Sequence, residues 1–165
     1  MNVAKSYEQA LATVIREYGD LPDDVLIRAW QTIDHDASWD ESVDRAFPLI
    51  DIRATPARTD DNQATLACEC AILVGTMTAD DRDHFDVSDL YDRVQGVLDD
   101  LYAQFRAQVN GSEKTRFDAI MAGNLTSDEY SFGGFTFGDG LAPYDDKGVN
   151  MIGISMTLHF SRTDF

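Results

Sequence analysis

The last stretch of the chain alternates between apolar and polar residues almost without a break. Over residues 151–161, every second position carries a large apolar side chain, at Ile152, Ile154, Met156, Leu158 and Phe160. The positions between them hold glycine, hydroxyl residues and His159. Because successive side chains of a strand point to opposite faces, this pattern predicts a strand in a sheet with one covered face and one open face.

The rest of the chain supplies strands to pair with it and helices to cover it. Residues 49–56 alternate in the same way, and residues 63–77 place Leu66, Cys68, Cys70, Ile72 and Val74 on one strand face, which predicts an antiparallel hairpin. The second face of the longer strand is also partly apolar, because it carries Ala67, Ala71 and Leu73. This indicates that part of the strand is covered on both sides. Tyr130–Phe137 predicts a further strand, with a bulge at Gly133–Gly134.

Helical periodicity appears in two long segments. Residues 3–18 carry apolar side chains at three- and four-residue steps and predict a helix that stops at Gly19. Residues 87–109 predict a longer helix with a continuous apolar stripe that ends with Val109. Pro22 suits the first turn of a short helix through residue 31. Residues 112–122 are compatible with another short helix, and residues 138–150 are expected to form a loop.

These elements define a fold class. We expect one α+β domain over residues 1–165, with a single antiparallel or mixed β-sheet flanked by helices. The order is helix, β-hairpin, long helix, β-hairpin.

The excess of acidic residues limits the classes of partner that the chain is expected to bind. Thirty acidic residues face thirteen basic ones, for a formal net charge of −17. Proteins that bind nucleic acid neutralise phosphates with Lys and Arg, and anionic membranes repel an acidic protein for the same reason. Sequence-specific nucleic-acid binding and membrane binding are therefore not expected. No signal-peptide pattern precedes Tyr18, so a cytoplasmic site of synthesis is expected.

The acidic clusters, the two cysteines and the histidines are candidates for metal ligands or catalytic residues. Asp34 and Asp36 begin a calcium-loop pattern, but Trp39 replaces the turn glycine and Arg45 replaces the closing glutamate. Cys68 and Cys70 fit no usual zinc spacing and belong to an apolar strand face. The histidines lack a nucleophile in a recognisable context. We therefore expect no catalytic residues, no metal and no cofactor, and a protein that is not an enzyme.

Aromatic residues point to assembly instead. Tyr130, Phe132, Phe135 and Phe137 lie close together on one predicted strand, and strict alternation would not bury all four on the same face. Two of the four are expected to pack in the core, and the aromatic surface that remains makes these residues candidates for an interface. Phe165 is either a disordered end or a further anchor for a neighbour.

The succession of elements resembles a known family. The segment FPLIDIR at residues 47–53 opens a hairpin that ends in Gly75-Thr76, and the acidic turn Asp80-Asp81 feeds the amphipathic helix. The alternating strand at residues 153–160 follows near the end of the sequence. This pattern resembles the tail-terminator (tail-completion) proteins of long-tailed bacteriophages.

The resemblance implies a structural virion protein that assembles in the host cytoplasm. Such a protein forms a ring, usually a hexamer, at the head-proximal end of the tail tube, where it ends tube polymerisation. Its partners would be copies of itself, the tail tube protein and a head-completion or connector protein that docks on the ring. DNA would pass through the lumen of the ring. Our hypothesis is that an acidic rim of the lumen repels the phosphates of this DNA. The candidate residues are Asp80, Asp81, Asp83, Asp86 and Asp89.

Three alternatives stay open. Another neck or tail-tube structural protein would share such a fold, since fold does not fix position in a virion. An acidic DNA mimic would present carboxylates spaced like phosphates and inhibit a DNA-binding protein. A metal-dependent enzyme built on the aspartate clusters would bind divalent metal stoichiometrically.

Overall fold

A computed structural model describes residues 3–29, 48–58, 65–77, 87–124, 130–146 and 149–162. The helices in these ranges are α1 (Val3–Tyr18), α2 (Val87–Ala107) and α3 (Ser112–Asn124). The strands are β1 (Leu26–Arg28), β2 (Leu49–Arg58), β3 (Thr65–Met77), β4 (Tyr130–Phe137), β5 (Leu141–Asp146) and β6 (Val149–Arg162).

The described strands form one six-stranded mixed sheet. Its order is β1-β2-β3-β6-β4, and β5 pairs with β6 on the same side as β4. β1 runs parallel to β2, and every other pairing is antiparallel. The expected α+β class and the first hairpin, β2 with β3, are confirmed.

The helices cover one face of this sheet. α1 packs against β2 and α3, and α2 packs against β3, β4 and β6. The strand residues that face them are buried together with the helical stripes, among them Ile52, Cys68, Ile72, Leu158 and Phe160. The alternation of β3 and β6 therefore predicted the covered face correctly. We call the opposite side of the sheet the outer face.

Three expectations about local structure are wrong. A helix was expected over residues 22–31, but the described part of this segment, which ends at residue 29, holds a turn at residues 23–24 and then β1. The backbone of β1 pairs with β2, and the Leu26 N–H donates to the Pro48 carbonyl. β5 lies within the loop expected at residues 138–150 and extends the sheet along β6. Val109 is 53% exposed and lies beyond α2, since the helix ends at Ala107 and Gln108 adopts a φ of 55°.

The edge of the sheet at β2 is protected beyond β1. Glu8 of α1 is 1% exposed, and its Oε1 accepts a hydrogen bond of 2.6 Å from the Ala54 N–H. Pro56, two residues further along the same edge, has no N–H to offer. A buried carboxylate and a proline thus take the place of a neighbouring strand at this edge.

Helix α3 begins against the end of α2. The Gln104 Oε1 accepts a hydrogen bond of 3.0 Å from the Lys114 N–H in the first turn of α3. This side chain satisfies one of the backbone donors that a helix start leaves without an intrahelical acceptor. Within the described ranges, no helix is both long enough and apolar enough to span a membrane.

Candidate functional site

The centre of the outer face contains a shallow hollow of about 370 Å³. Two rows of residues cross β2, β3 and β6 here. One row is Arg53, Ala71 and Ser155, and the other is Thr55, Glu69 and Thr157. The side chains of Arg53, Thr55 and Glu69 are exposed, and those of Ala71, Ser155 and Thr157 are half-buried.

The hollow exists because of residue size. Ala71 and Ser155 are neighbours in the centre of the sheet, and their short side chains leave a floor between the longer side chains of Arg53 and Glu69. Because alternate residues of a strand share a face, the same alternation that fills the core leaves these residues on the outer face. The site is a direct consequence of the strand pattern.

One end of the hollow holds an ion pair. The Arg53 Nε donates to the Asp51 carboxylate at 3.0 Å. The Asp51 side chain is 1% exposed, whereas that of Arg53 is 48% exposed. Asp51 therefore holds the Arg53 side chain at the strand surface.

The groups in the hollow can form hydrogen bonds and ion pairs. The hollow offers hydroxyl groups, one guanidinium and one carboxylate. The nearest histidine along β6 is His159, whose Nε2 lies 3.3 Å from the Thr136 Oγ1. It is four residues from Ser155, or about 13 Å along an extended strand, which is too far for a base to activate that hydroxyl.

The cysteines lie on the other face of the sheet, in the core. Cys68 and Cys70 are free thiols and are 0% and 3% exposed. Burial raises the pKa of the Cys68 thiol to about 11, and burial followed by the charge of Glu8 raises the pKa of Cys70 further. Both thiols are therefore protonated and poorly nucleophilic near neutral pH.

No group of three or more His, Cys, Asp or Glu residues that could hold a metal ion occurs in the described parts of the chain. The two aspartates of the calcium-loop pattern and two of the three histidines of the sequence lie outside those parts: Asp34, Asp36, His35 and His84.

The aromatic strand differs from its expected arrangement. The predicted bulge is present: β4 shifts register against β6 between Phe132 and Phe135, and Gly134 adopts a φ of 103°. Phe132 pairs with Phe160, while Phe135 pairs with Leu158 and Phe137 with Met156, all three partners being buried. The bulge therefore removes the reason to expect that alternation would divide the aromatic residues between two faces.

Phe135 and Phe137 belong to the interior of this chain. Phe135 is 4% exposed, and Phe137 is half-buried against the core. Both rings contact Tyr102 of α2, with centroids 5.5 and 5.4 Å away. Phe135 is therefore one of the aromatic residues that pack in the core, and its place among the candidate interface residues is wrong. The side chains of Tyr130 and Phe132, and all of Phe165, lie outside the description, and their role stays a prediction.

Of the five aspartates expected at an acidic rim, the structure places Asp89. It is exposed in the first turn of α2, and Asp92, Asp99 and Asp100 are exposed further along the same helix. Asp80, Asp81, Asp83 and Asp86 lie outside the described residues.

Sequence reasoning missed the hollow itself. The available signal is the run of small and polar residues on the second face of β3 and β6, which in β3 indicates a strand that is partly covered on both sides. That interpretation holds for Ala67, which is 6% exposed, but Glu69 is exposed. Only the register shows that Arg53, Glu69 and Ser155 meet at one place.

Comparison of the chain with protein-family models and with curated proteins gave no match.

Proposed function

We propose that this chain is a structural subunit of a long-tailed bacteriophage, which forms a ring at the head-proximal end of the tail tube. The ring ends tube polymerisation and offers a docking surface to the head-completion or connector protein. The observation that carries the proposal is the division of the sheet into a helix-covered face and an outer face with exposed polar side chains around a hollow. In this proposal the outer face is the docking surface.

The chemistry of the outer face supports an architectural role. Its hydroxyl groups and charged side chains suit contacts with another protein, and His159 lies too far from Ser155 to activate the Ser155 hydroxyl. Protein interfaces of moderate size are commonly polar and wet, so such a face needs no large apolar patch. We propose accordingly that the chain is not an enzyme and needs no cofactor.

The net charge of −17 supports the proposal that DNA passes through the ring without binding to it. Each copy adds its carboxylates, and a lumen lined by them repels the phosphate backbone. In the proposal the rim includes Asp89, together with Asp80, Asp81, Asp83 and Asp86.

Tube assembly in vitro tests this proposal. Purified chain is added to polymerising tail tube protein, and electron microscopy measures tube lengths and the structure of tube ends. We expect shorter tubes whose ends carry a ring. The control is Glu69→Arg, which alters the proposed docking surface and should leave the shortening of tubes intact while it weakens attachment of the connector. Tubes of unchanged length with bare ends would contradict the proposal.

The exposed aspartates of α2 favour one second candidate, a DNA mimic. Asp89, Asp92, Asp99 and Asp100 form an acidic helix surface that could occupy the cleft of a DNA-binding protein. In that case the chain competes with DNA for such a protein, and Asp92→Asn with Asp99→Asn abolishes the competition. A chain that shortens tubes and leaves DNA binding by other proteins unaffected favours the ring.

A further inference from the structure

One dipeptide between α2 and α3 carries chemistry that the proposed function does not use. Helix α2 ends at Ala107 and α3 begins at Ser112, so the pair Asn110–Gly111 lies in the connection between the two helices. Asn110 is exposed. The carboxamide carbon of an asparagine is an electrophile within reach of the next backbone nitrogen, because their bond closes a five-membered ring.

Gly111 makes this ring closure easy. It has no Cβ to shield its nitrogen, and its backbone reaches conformations that other residues avoid. Gly111 precedes the first residue of α3, so its N–H takes no part in the hydrogen bonds of that helix, while its carbonyl accepts one of 2.8 Å from the Thr115 N–H. The attacking nitrogen is therefore positioned at the helix start without belonging to the helix.

Packing explains why glycine occupies position 111. A Cβ at this position would lie between 2.7 and 2.9 Å from the carboxamide atoms of Gln104, closer than real Cβ atoms come. The same carboxamide accepts the Lys114 N–H at 3.0 Å and so caps α3. The cap therefore requires a residue without a side chain at position 111, and this residue is also the one that leaves Asn110 open to attack.

We infer that Asn110 is a site of spontaneous deamidation, at which the chain converts its own asparagine into aspartate and isoaspartate. The Gly111 amide nitrogen gives up its proton and bonds to the Asn110 Cγ, and the Cγ–Nδ2 bond breaks, so that ammonia leaves with that proton. Water then adds to either carbonyl carbon of the succinimide and opens the ring. Opening at one carbonyl restores the ordinary backbone, and opening at the other leaves the backbone running through the Cβ and Cγ of residue 110.

The isoaspartyl product changes the connection between α2 and α3. Its backbone is longer by one methylene group, so the first turn of α3 shifts relative to Gln104 and loses the hydrogen bond from the Lys114 N–H. The aspartyl product keeps the backbone and adds one negative charge to a chain whose formal net charge is −17. The inference goes beyond the proposed ring and does not rest on it.

Storage of the purified full chain tests the site. The folded chain is kept at neutral pH and physiological temperature, and samples taken over time are digested with trypsin. Cleavage after Arg106 and Lys114 releases residues 107–114, in which Asn110 is the sole asparagine. Mass spectrometry measures conversion of its amide to a carboxyl group, and labelling with protein isoaspartyl methyltransferase measures the isoaspartyl share. We expect conversion that progresses with time and yields both products.

Two controls show that the reaction belongs to this dipeptide. Asn150 lies in β6, where it pairs with Thr76 of β3 and Asp145 of β5, and Met151 follows it. Because the sheet holds its backbone away from the ring geometry, Asn110 should convert at least roughly tenfold faster than Asn150. Asn110→Gln keeps an amide on a longer side chain and should show no conversion at position 110 over the same period.

Hydrogen exchange separates the added charge from the longer backbone. The isoaspartyl fraction is purified by ion-exchange chromatography, and exchange of the Lys114 amide is measured in it and in Asn110→Asp. Exchange should be at least roughly tenfold faster in the isoaspartyl fraction, because its amide loses the Gln104 acceptor. Asn110→Asp should exchange as the natural chain does.

The outcomes decide the inference. Conversion at Asn110 in the folded chain, with Asn150 and Asn110→Gln unreacted, supports it. An intact peptide 107–114 after storage, conversion only in urea, or equal conversion of Asn150 would overturn it. Unchanged exchange of the Lys114 amide in the isoaspartyl fraction would overturn the loss of the cap. Failure of the proposed function is separable, because freshly purified chain is used to measure tube shortening and tube-end rings.

Discussion

The Glu8 carboxylate accepts a backbone hydrogen bond at the edge of β2, where a neighbouring strand would otherwise accept it. Removal of this carboxylate should destabilise the fold. Glu8 is 1% exposed on α1, and its Oε1 lies 2.6 Å from the nitrogen of Ala54. Ala54 is itself 8% exposed, so water has little access to replace the acceptor. Glu8→Ala therefore leaves a buried backbone donor without its partner.

The structure sets the size of the effect. Hydrogen bonds to charged groups contribute about 1.5–3 kcal/mol, and loss of a partner from a buried donor costs a comparable amount. We expect Glu8→Ala to lower the free energy of unfolding by about 2–3 kcal/mol. Glu8→Gln keeps an oxygen acceptor in the same place and should lose less than about 1 kcal/mol.

Urea unfolding followed by circular dichroism measures both variants, and amide hydrogen exchange at Ala54 gives a local readout. Exchange at this amide should accelerate in Glu8→Ala and change little in Glu8→Gln. The matched control on the same helix is Glu17→Ala, which removes a partly exposed ion pair with Arg116 and should cost less than about 1 kcal/mol. Equal losses in Glu8→Ala and Glu8→Gln would refute the reasoning.

Three further predictions concern backbone, pH and charge. Gly134→Ala should destabilise the chain by about 1–3 kcal/mol in urea unfolding because its φ is 103°, whereas Gly96→Ala in α2, where an added Cβ meets nothing within 4 Å, should stabilise it. Burial, and then the charge of Asp100, raises the pKa of Glu113, so its carboxylate opposes folding at neutral pH and stability should rise as pH falls through the folded pKa. Glu113→Gln should therefore be more stable than the natural chain at pH 7, with a difference that disappears below pH 4.5, the ordinary value; no difference at pH 7 would contradict this. Replacement of the five proposed rim aspartates, Asp89 included, by asparagine should slow DNA ejection from assembled particles, and unchanged ejection kinetics would count against an acidic lumen.

Regular periodicity made most of the fold predictable. The alternation of β6 predicts only that one face of the strand is covered and the other is open. Ile154, Met156, Leu158 and Phe160 lie in the core as expected. Helix α1 matches its predicted bounds because its apolar residues share one face and Gly19 closes the helix, with its N–H on the Ile15 carbonyl.

Elements held by distant partners were not predictable in the same way. β1 has three residues, and its stability comes from pairing with β2, which lies 23 positions further along in register. β5 contains Pro143 and pairs irregularly with β6, so its sequence carries no clear alternation. In both segments, tertiary pairing outweighs local propensity.

The sequence predicts the candidate site in part. The strand patterns place Arg53 and Glu69 in strands, and they indicate small or apolar residues on the outer face of β3. The register of β2, β3 and β6 determines which residues become neighbours, and this register depends on the whole sheet rather than on any one strand. The aromatic strand was misjudged for a similar reason, since one bulge of two glycines changes which residues share a face.

A cryo-electron microscopy map of the assembled particle tests the central claim most directly. If the outer face is where this chain meets other proteins, Glu69 and Thr157 lie buried against a neighbouring chain, while the exposed aspartates of α2 remain in contact with solvent. A map in which the hollow faces solvent and the helices form the contacts between layers would contradict the account.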